Sequence, residues 1–443
     1  MSRRRMRDAI SSISRHTISD ATWRSKNKNM ARDVRNLTEE KMLDKEVTYN
    51  DLTIQFIGAS GLPRMDVVGS ADPYFVADLN GHVSMVSTVK VNTLQPVWNE
   101  LWKIKNVPSN AKLRVQVWDK DNGKKDDYIG TFTTNVEPGA KEEEIEGHGF
   151  RRTKGTFWLK IESTPSTDRL PERHRYAFDG PIRFSRHLSP TIGRLANIND
   201  ARLYSTWKMY IKGIELFFGD EFQSWNREHK AAQAIFGGSL AIRTSIQAAH
   251  KLLYARRTTN GFGIINDKED MFDVFRGGKE ELGSKSTFQR RIKPAVYTYI
   301  ISASDDSFRF SETGATFFVD FASKHALHSN CAERVRYSGE FHPRPQGGWQ
   351  NFGGDMYDSD VPWELVIDNN SGTYAPDKMM LPALKACMEY NFPGFRIIAL
   401  DFKDPTLKES VDACRAYALN TREVRKEFLW PHMHNGDIVL RRR

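Results

Sequence analysis

The sequence predicts a multidomain protein: an antiparallel β-sandwich, then an α/β domain in which helices precede a mixed sheet. Three observations carry this. Between residues 47 and 163, short β-branched and aromatic runs alternate with turn clusters, the pattern of an all-β sandwich. From residue 201 onward helical and strand-like patterns alternate, which fits a layered α/β unit. A chain of 443 residues, 39% of them apolar, has enough material for two or three cores.

Taken in order, residues 1–46 are polar, rich in Arg and Ser, and basic. They read as a mostly disordered tail with one helical stretch near Arg24–Lys45, serving either solubility or a membrane or partner surface. Strands are expected at Leu52–Phe56, Tyr74–Leu79, Val83–Val91, Trp98–Ile104, Leu113–Trp118, Tyr128–Thr134 and Thr156–Ile161. Residues 164–200, with Pro165, Pro171, Pro181 and Pro190, read as a linker. Within 201–443, Leu203, Trp207, Tyr210, Ile211, Ile214 and Phe218 recur at helical spacing, as do Ile235, Ile242, Ile246, Ala249 and Leu253. Strands at Val296–Ser302, Arg334–Phe341, Leu365–Ile367 and Arg396–Phe402 then alternate with helices at Phe317–His328, Lys378–Tyr390 and Leu407–Glu427.

A net charge of +9 draws the chain toward polyanions, either nucleic acid or an anionic membrane face. No apolar run is long enough to span a bilayer, and Met1-Ser2-Arg3-Arg4-Arg5 is not followed by the apolar stretch of a signal peptide. Cys331, Cys387 and Cys414 suit neither a disulfide framework nor a zinc site, so the expected setting is a reduced one.

The strongest chemical signal is a set of aspartates on two turns. The first runs Leu62-Pro63-Arg64-Met65-Asp66-Val67-Val68-Gly69-Ser70-Ala71-Asp72-Pro73-Tyr74; the second is Trp118-Asp119-Lys120-Asp121-Asn122-Gly123-Lys124-Lys125-Asp126-Asp127-Tyr128. With both turns at one edge of the sandwich, four or five carboxylates converge and repel. A hard divalent cation relieves this, and a flexible all-oxygen shell describes Ca²⁺ better than Mg²⁺ or Zn²⁺. The alternative is aspartates that merely cap turns.

These residues resemble a C2 domain, the calcium-dependent phospholipid-binding family. The match includes the Ser70-Ala71-Asp72-Pro73-Tyr74 context, the Gln95-Pro96-Val97-Trp98-Asn99-Glu100 strand start and the third-loop Asp119-x-Asp121 followed by Asp127. The resemblance implies that Asp66, Asp72, Asp119, Asp121 and Asp127 ligate calcium, with Asp126 at a variable, solvated position. A strand at 155–162 and none before residue 47 imply the variant with a C-terminal eighth strand. Met65, Val67 and Val68 put apolar atoms on a turn that should be polar, and so are expected either to enter a lipid interface or to pack on their own loop. Lys124 and Lys125 are placed to meet anionic head groups at about 1 kcal/mol each.

The C-terminal region resembles that of uncharacterised fungal C2-bearing proteins and contains no catalytic signature. Its weaker candidates are His325, His328, Glu340 and His342 as a metal set, against ordinary core histidines. Asp368, Asn369, Asn370 and Ser371, with His342, could form a ligand turn after a strand, against a plain Asx turn. Ser311-Glu312-Thr313-Gly314 reads as a capped helix start. The expectation is a eukaryotic, cytoplasmic protein recruited by calcium to phosphatidylserine-like anionic membranes, whose C-terminal domain is an effector or scaffold able to bind a protein partner. The alternative is a lipid- or phosphate-metabolising enzyme delivered by the same domain. Nucleic acid would rest on charge alone, without any recognition motif.

Overall fold

The computed structural model describes residues 48–65, 70–121, 126–147, 153–188, 205–238, 240–254, 259–277, 291–313, 323–353 and 356–422. The first sheet comprises β1 (Tyr49–Ser60), β2 (Pro73–Leu79), β3 (Val83–Val86), β4 (Val97–Pro108), β5 (Lys112–Asp119), β6 (Asp127–Asn135), β7 (Gly139–Glu146), β8 (Thr153–Pro165) and β9 (Ala177–Gly180). Their order is β3-β2-β5-β6-β7-β8-β1-β4-β9. Strands β1, β3, β4 and β5 bury alternate residues. In β4, Trp98, Glu100, Trp102 and Ile104 point inward while Val97, Asn99, Leu101 and Lys103 face out. Phe75 of β2 stands 5.5 Å from Phe157 of β8 and 5.0 Å from Trp98 of β4, ring to ring. Strands distant in the order therefore touch, which folds the path into a two-layer sandwich around an aromatic core.

β1 is paired along its length with β8, from Asn50↔Pro165 to Ser60↔Thr156, so the closing strand is C-terminal. β7 is absent from the expected strands because Lys141-Glu142-Glu143-Glu144-Ile145-Glu146 offers only Ile145 to the core. The expected strand Val83–Val91 ends at Val86, and residues 87–96 form a loop.

The second sheet holds β10 (Ile182–Leu188), β11 (Ser205–Tyr210), β13 (Thr259–Ile265), β14 (Tyr297–Ile301), β15 (Phe308–Glu312), β17 (Tyr337–Pro345), β18 (Trp363–Asp368) and β19 (Phe395–Leu400). Its order is β13-β10-β11-β15-β14-β17-β18-β19, while β12 (Gln223–Ser224) and β16 (Arg334–Val335) pair separately. The helices are α1 (Ile214–Phe218), α2 (Lys230–Phe236), α3 (Leu240–Leu253), α4 (Lys268–Arg276), α5 (Lys324–His328), α6 (Leu381–Asn391) and α7 (Pro405–Thr421). The sheet is mixed: β18 and β19 run parallel, joined through α6, because a parallel pair needs a crossover. One face is aromatic, with Tyr297, Phe310 and Phe341 meeting Phe275 of α4 at 5.9, 6.3 and 6.1 Å. Across the other face runs a polar row in register, Thr206–Ser311–Thr298–Glu340.

Three expectations change. Part of the linker, 164–200, is structured: β9 extends the sandwich on β4, and β10 opens the second sheet. The helix expected from Leu203 begins only at Ile214. Trp207 and Met209 also satisfy a period of two, and residues 205–210 pair with β10 and β15. Ser311 and Glu312 belong to β15 rather than to a helix cap. The tail, 1–46, lies outside the described residues.

Candidate functional site

The aspartates of the sandwich sit where β2, β5 and β6 end side by side. The register Pro73↔Asp119↔Asp127 sets Asp119 and Asp127 opposite each other, with Asp72 one residue before Pro73. Strands lie about 4.8 Å apart, so Asp119 and Asp127 stand opposite each other in one row, and Asp72 sits one residue beyond it on the neighbouring strand end. The Asp72 N–H donates to Asp119 Oδ1 at 2.6 Å, and the Lys120 N–H donates to Asp72 O at 3.0 Å, fastening the first turn to the third. Asp119 is 1% exposed, an unusual depth for a carboxylate. Asp121 is half-buried and Asp127 exposed. Among the described residues no three acidic, His or Cys side chains stand close enough to hold one ion. Asp66 lies outside the described residues, as do Val67, Val68, Lys124 and Lys125. The donor set is nonetheless all carboxylate oxygen at one edge, the kind a hard cation takes.

Three features differ from expectation. Asp126 is 7% exposed rather than solvated: its Oδ2 accepts from the Tyr74 hydroxyl at 2.6 Å and its Oδ1 from Lys120 Nζ at 3.3 Å. Met65, expected either to enter a lipid interface or to pack on its own loop, is half-buried against the sandwich core, where its long flexible side chain finds apolar partners. An apolar tip that sequence reasoning missed is Val91, 74% exposed on the 87–96 loop. Its neighbour Asn92 donates its N–H to Asp72 Oδ1 at 2.7 Å, which puts Val91 at the same edge.

In the second sheet the expected histidine set does not converge. His325 Nε2 meets Gly339 O at 3.0 Å, His328 bonds the Tyr254 and Ser311 hydroxyls at 2.9 Å each, and His342 bonds the Ser410 hydroxyl at 2.7 Å. Burial holds His325 down at about 4 and His342 at about 3, so both are neutral core imidazoles. The Asp368 turn closes on itself. Asp368 Oδ1 accepts the Glu340 and Asn370 N–H at 2.8 Å each, Asn369 Oδ1 accepts the Phe402 N–H at 2.7 Å, and Ser371 Oγ accepts the Tyr374 N–H at 3.2 Å. His342 makes none of these bonds and meets the Ser410 hydroxyl instead. Burial, then the nearby Glu340, pushes the Asp368 carboxyl well above its usual range.

A charged cluster that the sequence did not signal surrounds Glu312. Arg422 Nη1 donates to it at 2.7 Å and Lys293 Nζ at 2.6 Å, which hold it down at about 2 against the opposing effect of burial. Lys324 donates to the Glu312 carbonyl, and burial lowers its amine to about 7. The three cysteines are buried and unbridged. Burial raises Cys331 to about 11 and Cys414 to about 12, which makes them inert thiols.

By sequence the chain is 29% identical to the E3 ubiquitin-protein ligase RSP5 of Saccharomyces cerevisiae, over 30% of this chain and 16% of that protein. It is 25% identical to the 16 kDa phloem protein 2 of Arabidopsis thaliana, over 27% of this chain and 86% of that protein. Among solved structures, a C2 domain of plant Extended Synaptotagmin 1 matches over 27% of this chain and 98% of its own length, at 22% identity and a TM-score of 0.25. The chain thus spans under a fifth of the ligase. The model of the C2 domain family matches residues 50–150, so this stretch of the chain is a C2 domain.

Proposed function

We propose that the protein binds anionic phospholipid membranes in a calcium-dependent way, its second domain serving as effector or scaffold. The observation that carries the reading is the row of Asp119 and Asp127 at adjacent strand ends, with Asp72 just before the third strand and bonded to Asp119, and with Asp121 and Asp66 on the flanking turns. These five residues would hold the ion. Bound there, calcium would cancel the acidic charge of the edge and offer coordination positions to lipid phosphate or carboxylate oxygens.

The rest falls to the chain's own side chains. Val91, with Val67 and Val68 on the first turn, supplies apolar atoms for the lipid interface. Lys124 and Lys125 would add about 1 kcal/mol each against anionic head groups, and the basic residues of 1–46 would add a salt-screened attraction. The reading is tested by sedimenting phosphatidylserine vesicles with the full chain and with Asp119→Asn/Asp121→Asn. The parent should pellet in calcium and the variant should stay in the supernatant; equal pelleting of both would contradict it. The enzyme alternative draws on Lys324, whose near-neutral amine beside Glu312 is the kind of perturbed group that active sites use. Turnover of a lipid or phosphate ester lost in Lys324→Met would favour it.

A further inference from the structure

The loop that meets Asp72 is fastened to the second sheet. Arg183, on β10, reaches across to the sandwich and donates through Nη2 to Glu100 Oε2 on β4 and, at 3.3 Å, to Val86 O at the end of β3. The side chains of this pair are 5% and 4% exposed, so neither charge has water to fall back on. The other Glu100 oxygen, Oε1, accepts the Thr88 N–H and the Thr88 hydroxyl, each at 2.7 Å. Thr88 O in turn accepts from Trp98 Nε1 at 3.0 Å. Thr88 stands near the start of the 87–96 loop. Farther along, the N–H groups of Lys90, Asn92 and Thr93 donate to Pro73 O at 2.9 Å, Asp72 Oδ1 at 2.7 Å and Ala71 O at 2.8 Å. Hydrogen bonds from the second sheet therefore grip the start of this loop at Thr88, and the same loop, two to five residues on, bonds the Asp72 edge.

We infer that Arg183 is a positioning residue for that edge: by holding Glu100 it holds the 87–96 loop against Asp72, so the calcium affinity of the sandwich depends on the second sheet. The inference rests on the calcium reading above for its ligand, and on hydrogen-bond geometry alone for the fastening. Arg183 lies outside the stretch that matches the C2 family, so the dependence belongs to this two-domain arrangement.

The test uses the full chain carrying Arg183→Met, Arg183→Lys, or Arg183→Met together with Glu100→Gln. Glutamine keeps an acceptor for Thr88 and removes the charge that needs an arginine. Two quantities are read without lipid: the calcium concentration at half-saturation by calorimetry, and amide hydrogen exchange at Thr88, Lys90 and Asn92. Arg183→Met should raise the calcium midpoint by roughly fivefold and speed exchange at those amides. Arg183→Lys should recover part of both, and the double variant most of both. A lowered melting temperature with unchanged midpoint and unchanged exchange would overturn the inference and leave an ordinary buried ion pair. Should the parent bind no calcium, the calcium reading fails by itself. The exchange arm then decides the fastening, since unchanged protection refutes it and lost protection sustains it.

Discussion

Replacing His342 with Gln should flatten the acid side of the protein's stability curve. His342 is 1% exposed, bonds the Ser410 hydroxyl at 2.7 Å, and is held at about 3 by burial, then by the nearby Arg344 and Arg415. The unfolded chain titrates this group near pH 6.5. A depressed imidazole means that, as pH falls, the unfolded state takes the proton first. The stability His342 supplies is therefore intact above about pH 6.5 and is lost on the way down toward pH 3. The slope is about 1.4 kcal/mol per pH unit, which integrates to about 2 kcal/mol between pH 7 and pH 5. His325, also depressed, acts in the same direction, while the raised carboxyls of Glu340 and Asp368 act against it. All three remain in the variant, so they cancel in the comparison. Gln can keep a hydrogen bond to Ser410 without titrating. Urea unfolding of parent and His342→Gln at the two pH values should show the stability gap between them narrowing by about 2 kcal/mol at the lower one. Parallel curves with a constant gap would show that His342 is not held neutral, and the reasoning would fail.

Gly339→Ala should cost about 3 kcal/mol or more, because its Cβ would clash with the Asp368 carbonyl oxygen and backbone must move; an unchanged urea midpoint would contradict the close β17–β18 approach. Tyr74→Phe removes the 2.6 Å donor to buried Asp126 and should lower stability by about 1–3 kcal/mol, read in the same melts. Changing Val67, Val68 and Val91 together to Ser should weaken phosphatidylserine-vesicle binding by about tenfold or more while leaving calcium affinity in solution nearly intact, since each side chain contributes at most about 1.5–3 kcal/mol on leaving water. Vesicle binding equal to the parent's would show that these tips stay in water.

The sandwich was legible because its strands obey a period of two and its turns carry Gly, Pro and Asp. The exceptions were β9, hidden in the expected linker, and β7, where a single inward Ile145 among acidic residues leaves no pattern to read. In the second sheet, the strands built around an apolar run, expected at Val296–Ser302 and Leu365–Ile367 and found at Tyr297–Ile301 and Trp363–Asp368, were visible. Ser205–Tyr210 was not, because six residues that bury both faces match a helix and a strand equally well. The aspartate row could be anticipated from motif spacing, since strand ends fix where such residues fall. Val91, Asp126 and Arg183 could not. Val91 was hidden by a strand that stops five residues early, Asp126 by a Tyr74 hydroxyl from another strand, and Arg183 by a partner 83 positions away.

Calcium dependence of vesicle binding by the full chain tests the central claim most directly. Phosphatidylserine vesicles would be sedimented with the protein across a calcium titration and in chelator, at physiological and at high salt. The account predicts binding that appears with calcium, vanishes in chelator and survives high salt in large part, because the apolar tips are not screened while the basic residues are. Binding that is equal in calcium and in chelator, or that salt abolishes entirely, would mean that the chain is held to membranes by charge alone and that the aspartate row is not a calcium site.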